Sequence, residues 1–183
     1  MNIIRWYHAD NASFKQRLPM LLRPYLLDDD SLTRHLNRHC GQNITVTLRS
    51  QRWNKPLWTE RQTLHLSAHH YARVRQVYLG CKNQTWVFAR TVIPMTTLSG
   101  QYRYLGQLGT SPLGKVLFAE HALQRVDLQI AQLRPQQPLY QLACQNLMYK
   151  PDELWARRSI FRLKTKPLLV TEVFLPEFLS SLD

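Results

Sequence analysis

The chain has 183 residues, 44% of them hydrophobic and 10% aromatic, which excludes a disordered or low-complexity polypeptide and is enough for one domain with a real core. It carries 24 Lys and Arg against 12 Asp and Glu, a net charge of +12, with seventeen arginines and seven lysines. That surplus suits nucleic acid, an anionic membrane surface or an anionic small molecule, and the arginine bias favours forked recognition of carboxylate or phosphate.

In chain order, Phe14, Leu18, Leu21, Leu22, Tyr25 and Leu26 recur at helical spacing, and Pro19 breaks the run, so a kinked or split helix is expected between Asn11 and Asp29. Asp28, Asp29 and Asp30 crowd the start of a second helix, SLTRHLNRHC, with Leu32 and Leu36 on one face and Gly41 as its stop. Residues 1–42 therefore read as a helical arm, and residues 43–183 as a sheet with covering helices, in a single domain. Ile44, Val46 and Leu48 alternate with polar residues as a half-buried strand, whereas residues 53–67 stay ambiguous.

Tyr71–Cys81 and Thr85–Pro94 flank Lys82-Asn83-Gln84 and predict an antiparallel hairpin, which Pro94 ends. Residues 90–118 then hold four of the six glycines and two of the ten prolines, with Ser111-Pro112 reading as the start of a short helix carrying Leu113, Gly114, Val116 and Leu117. Val126, Leu128 and Ile130 alternate as a further strand. Residues 134–153 look like an excursion with at most a short helix at Leu139–Leu147, and two strands close the pattern at Leu154–Leu163 and Leu168–Leu175. Short connections favour antiparallel pairing, so the expected class is α+β, one antiparallel sheet of about six strands with helices on one side.

Few residues stand out chemically. In LLVTEVFLP the period of two puts Leu168, Val170, Glu172 and Phe174 on one face, so Glu172 should be protonated, paired with a cation, or hydrogen-bonded to a ligand. Arg75 shares a face with Arg73, Val77 and Leu79, and reads either as a clamp for a carboxylate or as an exposed strand arginine. Arg90 lies in an equally apolar strand, and Arg157-Arg158 must split between two faces. His35 and His39 lack an acidic partner at metal-site spacing, and GQLGTSPLG is neither a dinucleotide fingerprint nor a P-loop. No serine or cysteine sits in a nucleophile motif. Cys40, Cys81 and Cys144 are odd in number and widely spaced, which indicates neither a disulfide framework nor a zinc knuckle and suggests a reducing compartment. MNIIRWYHADN has no apolar core of signal-peptide length and no run approaches a membrane span, so the chain reads as cytoplasmic.

Four motifs, RTVIPMTTLSG, LGTSPLGKVLF, LWARRSIFRL and KPLLVTEVFLP, resemble in order and spacing the chorismate pyruvate-lyase family of bacterial ubiquinone biosynthesis. The likeness runs from about Tyr71 to Pro176 and extends weakly back to DDDSLTRHL. It implies an antiparallel sheet with two helical flaps over a closed ligand cavity, and a monomer that converts chorismate to 4-hydroxybenzoate and pyruvate without metal or organic cofactor and is held back by its product. The family's arginine for the ring carboxylate matches Arg75, its glutamate for the 4-hydroxyl matches Glu172, and the leucine of its PLG turn matches Leu113. A flap methionine falls at Leu32, where leucine still supplies an apolar lid. Arg90, Arg157 and Arg158 remain as candidates for the second carboxylate. The partner implied is the small molecule chorismate rather than nucleic acid, and the basic surface leaves transient membrane association open. The alternative is a non-catalytic effector-binding domain of the same fold, as in GntR-type regulators.

Overall fold

The computed structural model describes residues 3–114 and 123–182. Its framework is one antiparallel sheet of seven strands: β1 (Tyr7–His8), β2 (Thr45–Asn54), β3 (Ala72–Cys81), β4 (Gln84–Pro94), β5 (Leu123–Leu133), β6 (Leu154–Leu163) and β7 (Lys166–Phe174). Their order in space is β1-β5-β6-β7-β4-β3-β2. The expected hairpin is β3–β4, turned by Lys82 and Asn83, both at positive φ as a two-residue turn of this kind requires. Gly80 beside that turn has no room for a side chain, since a Cβ would sit 2.4 Å from the Gln84 carbonyl oxygen. The extra strand beyond the expected six is the short β1, which pairs only with β5. The sheet does not close on itself, and β1 and β2 are its two edges.

The first arm folds as the proline pattern requires. It is split into α1 (Ala12–Lys15), a 3-10 turn at Met20–Leu22 and α2 (Arg23–Leu26), followed by α3 (Leu32–Cys40). Asn11 caps α1 by accepting a hydrogen bond from the Phe14 amide at 3.0 Å. Gly41 ends α3 in the left-handed region at φ 73°, a conformation that costs glycine little. Leu22, Leu26, Leu32 and Leu36 point down onto Val77, Val87, Trp155 and Phe174 of the sheet, with Phe178 from α6 (Pro176–Ser180) completing the cluster.

Helices were expected on one side, but two lie on the opposite face. There α4 (Trp58–Thr63) precedes Leu64, which packs with Val74, Val92 and Leu169. On the same face α5 (Pro138–Ala143) sets Leu139, Tyr140 and Ala143 against Phe88, Ala156 and Val173. The first fills the stretch that alternation left ambiguous, and the second overlaps the short helix expected at Leu139–Leu147. The segment after Pro94 forms a 3-10 helix at Gly100–Gln107, and the helix expected over Leu113–Leu117 lies largely outside the described residues.

The cysteines correct the sequence reading. Cys40 and Cys81 form a disulfide with Cα atoms 6.0 Å apart, tying the end of α3 to the end of β3, while Cys144 is free and buried. Two cysteines separated by 41 residues carry no local motif, so only the docking of α3 on the sheet brings them together. No helix among the described residues is long and apolar enough to cross a membrane.

Candidate active site

On the α3 side of the sheet, β3, β4, β7, β6 and β5 form the floor of a cavity of about 50 Å³, several times the ~10–15 Å³ that one buried water occupies. Ser31, Leu32 and Thr33 at the start of α3 and Pro112, Leu113 and Gly114 of the crossing segment form its roof. The described residues leave it partly open, where a closed chamber was expected. The floor between the charged groups is apolar, with Val77, Ala89, Phe161 and Val170.

Arg75 and Glu172 both line this cavity, as do Leu113 and Leu32. Arg75 is 2% exposed, yet no carboxylate among the described residues pairs with it. Its Nε and Nη2 donate to the Gly109 carbonyl at 3.1 and 3.0 Å, and Nη2 also donates to the Ser111 carbonyl at 2.9 Å. Burial without a counter-charge lowers its pKa to about 10. The same turn is held from the other side, where Gly109, at φ 54°, donates its amide to Gln51 at 2.9 Å, and Arg73 donates to the Gly106 carbonyl at 2.8 Å. Arg75 thus fixes the segment carrying Leu113 and still faces the cavity.

Glu172 is paired. Arg157 Nε donates to its Oε2 at 2.6 Å, and Arg157 Nη1 donates to the carbonyls of Tyr25 and Asp28 at 2.8 and 3.0 Å. One fully buried guanidinium therefore orients the cavity carboxylate and anchors the backbone that leads into α3.

Two of the three arginines considered for a second carboxylate face elsewhere. Arg90 lies opposite Gln76, on the far face from Arg75, and makes a buried forked pair with Glu60 of α4 at 2.6 and 3.0 Å. Glu60 also accepts from the Leu57 amide at 2.7 Å, so its carboxylate is well satisfied. Arg158 lies on that face too, stacked 4.4 Å from the centre of the Trp6 ring and bonded to Gln129 at 2.7 Å. Arg157 does line the cavity, but Glu172 occupies it.

A fourth arginine was missed. Arg125 lines the cavity from β5, 5.1 Å from the centre of the Phe161 ring, because a bulge between Arg125 and Asp127 breaks the strict alternation of that strand. Burial lowers its pKa, the neighbouring Arg157 lowers it further, and nearby carboxylates oppose both. Counting the described lining residues, three guanidinium groups face one carboxylate, a surplus of two positive charges in a largely apolar chamber. Elsewhere Asp28, Asp30 and His35 lie close enough to suggest a cation site, but Asp30 is exposed and His35 already pairs with Asp28 at 3.1 Å. Nothing else marks that cluster as a metal centre.

A family model described as chorismate lyase matches residues 1–181. The chain belongs to the chorismate lyase family. Among curated relatives, a protein of Nitrosomonas eutropha named probable chorismate pyruvate-lyase is 39% identical over 158 residues, covering 86% of this chain and 88% of its own. A chorismate pyruvate-lyase of Yersinia enterocolitica is 39% identical over 163 residues, covering 87% of this chain and 83% of its own. Solved structures share the fold at much lower identity. The PhnF C-terminal domain aligns with a TM-score of 0.58 at 13% identity over 73% of this chain and 84% of its own. A GntR-family regulator of Enterococcus faecalis aligns with a TM-score of 0.51 at 11% identity, covering 72% of this chain and 88% of its own. At such identities the likeness establishes the architecture only.

Proposed function

We propose that this chorismate lyase family member is a chorismate pyruvate-lyase that converts chorismate to 4-hydroxybenzoate and pyruvate with its own side chains as the binding and positioning groups. The observation that carries this reading is the cavity's charge, three arginines against one glutamate, which complements a substrate with two carboxylates. Arg75, buried without a counter-charge, anchors the ring carboxylate. Glu172, held by Arg157, accepts a hydrogen bond from the 4-hydroxyl.

In the reaction the C3–O ether bond breaks, C4 gives up its hydrogen, the ring becomes aromatic, and the departing enolpyruvyl group gains one hydrogen to leave as pyruvate. Aromatisation drives the step, so the protein's part is to hold the ring, exclude water and balance charge as the ether oxygen leaves. Leu32 and Leu113 form an apolar roof over the ring. The product keeps the carboxylate and hydroxyl that Arg75 and Glu172 grip, so its release past α3 limits turnover and free product inhibits.

The shared architecture also serves ligand-sensing domains, but the presence of Arg75 and Glu172 in one cavity, on a chain close to 40% identical to named lyases, favours catalysis. The enzyme acts as a monomer, and the excess positive charge outside the cavity attracts its dianionic substrate. Incubation of the purified protein with chorismate should release equal amounts of pyruvate and 4-hydroxybenzoate. Chorismate that binds and is recovered unchanged would identify a sensor instead.

A further inference from the structure

Two polar groups in the cavity are buried and unused. Ser159 is 1% exposed, lines the cavity from β6, and its Oγ has no hydrogen-bond partner among the described residues. Arg125 Nε, on the neighbouring strand β5, is likewise buried and unpartnered. The remaining contacts of Arg125 are long. Nη1 and Nη2 reach the carbonyls of Asp28 and Asp30 at 3.3 Å each, and the carboxylate of Asp29, 94% exposed, is 3.7 Å away and screened by water. Buried polar atoms are nearly always satisfied, so two orphans in one cavity wall mark the place of a missing acceptor. An anion can accept hydrogen bonds from both a guanidinium and a hydroxyl, and the surplus of positive charge in the described cavity lining favours it over a neutral acceptor.

Their position fits one end of the substrate. Arg75 stands on β3 and Arg125 on β5, four strand spacings apart, or about 19 Å between backbones. Two arginine side chains reaching inward from those strands leave a gap of small-molecule size, with Glu172 on β7 between them. We propose that Arg125 and Ser159 form the subsite for the enolpyruvyl carboxylate, opposite the ring-carboxylate anchor at Arg75. This rests on the chorismate reading of the cavity. The two ends then differ in what they hold. Arg75 meets a group present in substrate and product alike, whereas the Arg125–Ser159 subsite meets a carboxylate that leaves with pyruvate. Because Arg125 also touches the Asp28 and Asp30 carbonyls just before α3, emptying the subsite changes a contact of the roof at the moment the product must depart.

The test separates substrate from product affinity. Arg125→Gln should raise KM for chorismate about 10- to 100-fold, the range of a lost charged hydrogen bond, and Ser159→Ala a few-fold, while Ki for 4-hydroxybenzoate stays within about threefold in both. Parallel rises in KM and Ki, or no rise in KM, would overturn the proposal. Should Arg125→Gln fail to fold, Ser159→Ala and the conservative Arg125→Lys carry the same comparison. A second measurement needs no turnover: calorimetric binding of 3-(carboxymethoxy)benzoate and 3-methoxybenzoate to the wild-type protein. The extra carboxylate should strengthen binding at least about tenfold in wild type and not in Arg125→Gln. No gain in wild type contradicts the subsite. An absence of pyruvate release from chorismate would instead remove the lyase reading, with the calorimetry still deciding the subsite.

Discussion

Two buried arginine–glutamate pairs sit on opposite faces of one sheet, with the same closest distance of 2.6 Å and different consequences. Arg90–Glu60 is forked, its side chains are 3% and 5% exposed, and the Leu57 amide completes the glutamate's bonding. Arg157–Glu172 is held through one oxygen, and the glutamate, 13% exposed, borders the cavity. The first pair is a closed unit joining α4 to the sheet. The second leaves a carboxylate accessible to a ligand. Burial and charge pairing alone do not distinguish structural from functional carboxylates; the difference is whether the pair's surroundings are filled by protein or by cavity.

The comparison can be broken by exchanging the two glutamates for glutamine. Glu172→Gln should lower kcat/KM for chorismate by roughly 10²–10⁴ while the protein still melts cooperatively, as read by steady-state kinetics beside a thermal scan. Glu60→Gln should act on stability first. It strands a buried guanidinium, at a cost of about 3–5 kcal/mol measured by urea denaturation, far more than Glu172→Gln, whose Arg157 keeps two backbone carbonyls. Equal stability losses in the two variants would sink the distinction.

The cavity side has a further tie that the far face lacks. Cys40–Cys81 closes a loop of 41 residues between α3 and β3, worth up to about 4 kcal/mol by chain entropy. Reduction should therefore lower the melting temperature and speed hydrogen exchange in α3 while sparing α5. An unchanged melt in reductant, or free thiols at Cys40 and Cys81 by alkylation, would remove this tie.

A smaller effect concerns pH. Arg75 binds an anion as a cation, and its pKa, lowered to about 10 in the free protein, is restored upward when a carboxylate arrives. Affinity for benzoate, whose carboxylate is ionised throughout, should thus be level near neutrality and fall as pH rises through about 10. A flat profile to pH 11 would show that Arg75 keeps its proton despite its burial.

How much of this was legible in sequence follows from which facts are local. Glu172 and Arg75 showed themselves because the period of two placed a charge among apolar neighbours within a single strand. That Arg157 and Arg158 must point oppositely was equally readable, but which one faced the cavity was not, because the register of β6 on β7 decides it by setting Arg157 opposite Glu172. Arg90 was misplaced for the same reason, since only its pairing opposite Gln76 shows that it shares the far face. Arg125 was hidden by the bulge beside it, which shifts by one residue the alternation read correctly from Leu128 to Ile130. The disulfide, and the face of the sheet that α4 and α5 cover, depend on tertiary docking, which no local pattern carries.

The face of the sheet bearing Arg75 and Glu172 should bind the ligand, and the face bearing Arg158 should not. Titration of 4-hydroxybenzoate into Arg75→Gln and Arg158→Gln by calorimetry tests this most directly. Affinity should fall at least about tenfold in Arg75→Gln and stay at the wild-type value in Arg158→Gln. Wild-type affinity in Arg75→Gln, or an equal loss in both variants, would contradict it.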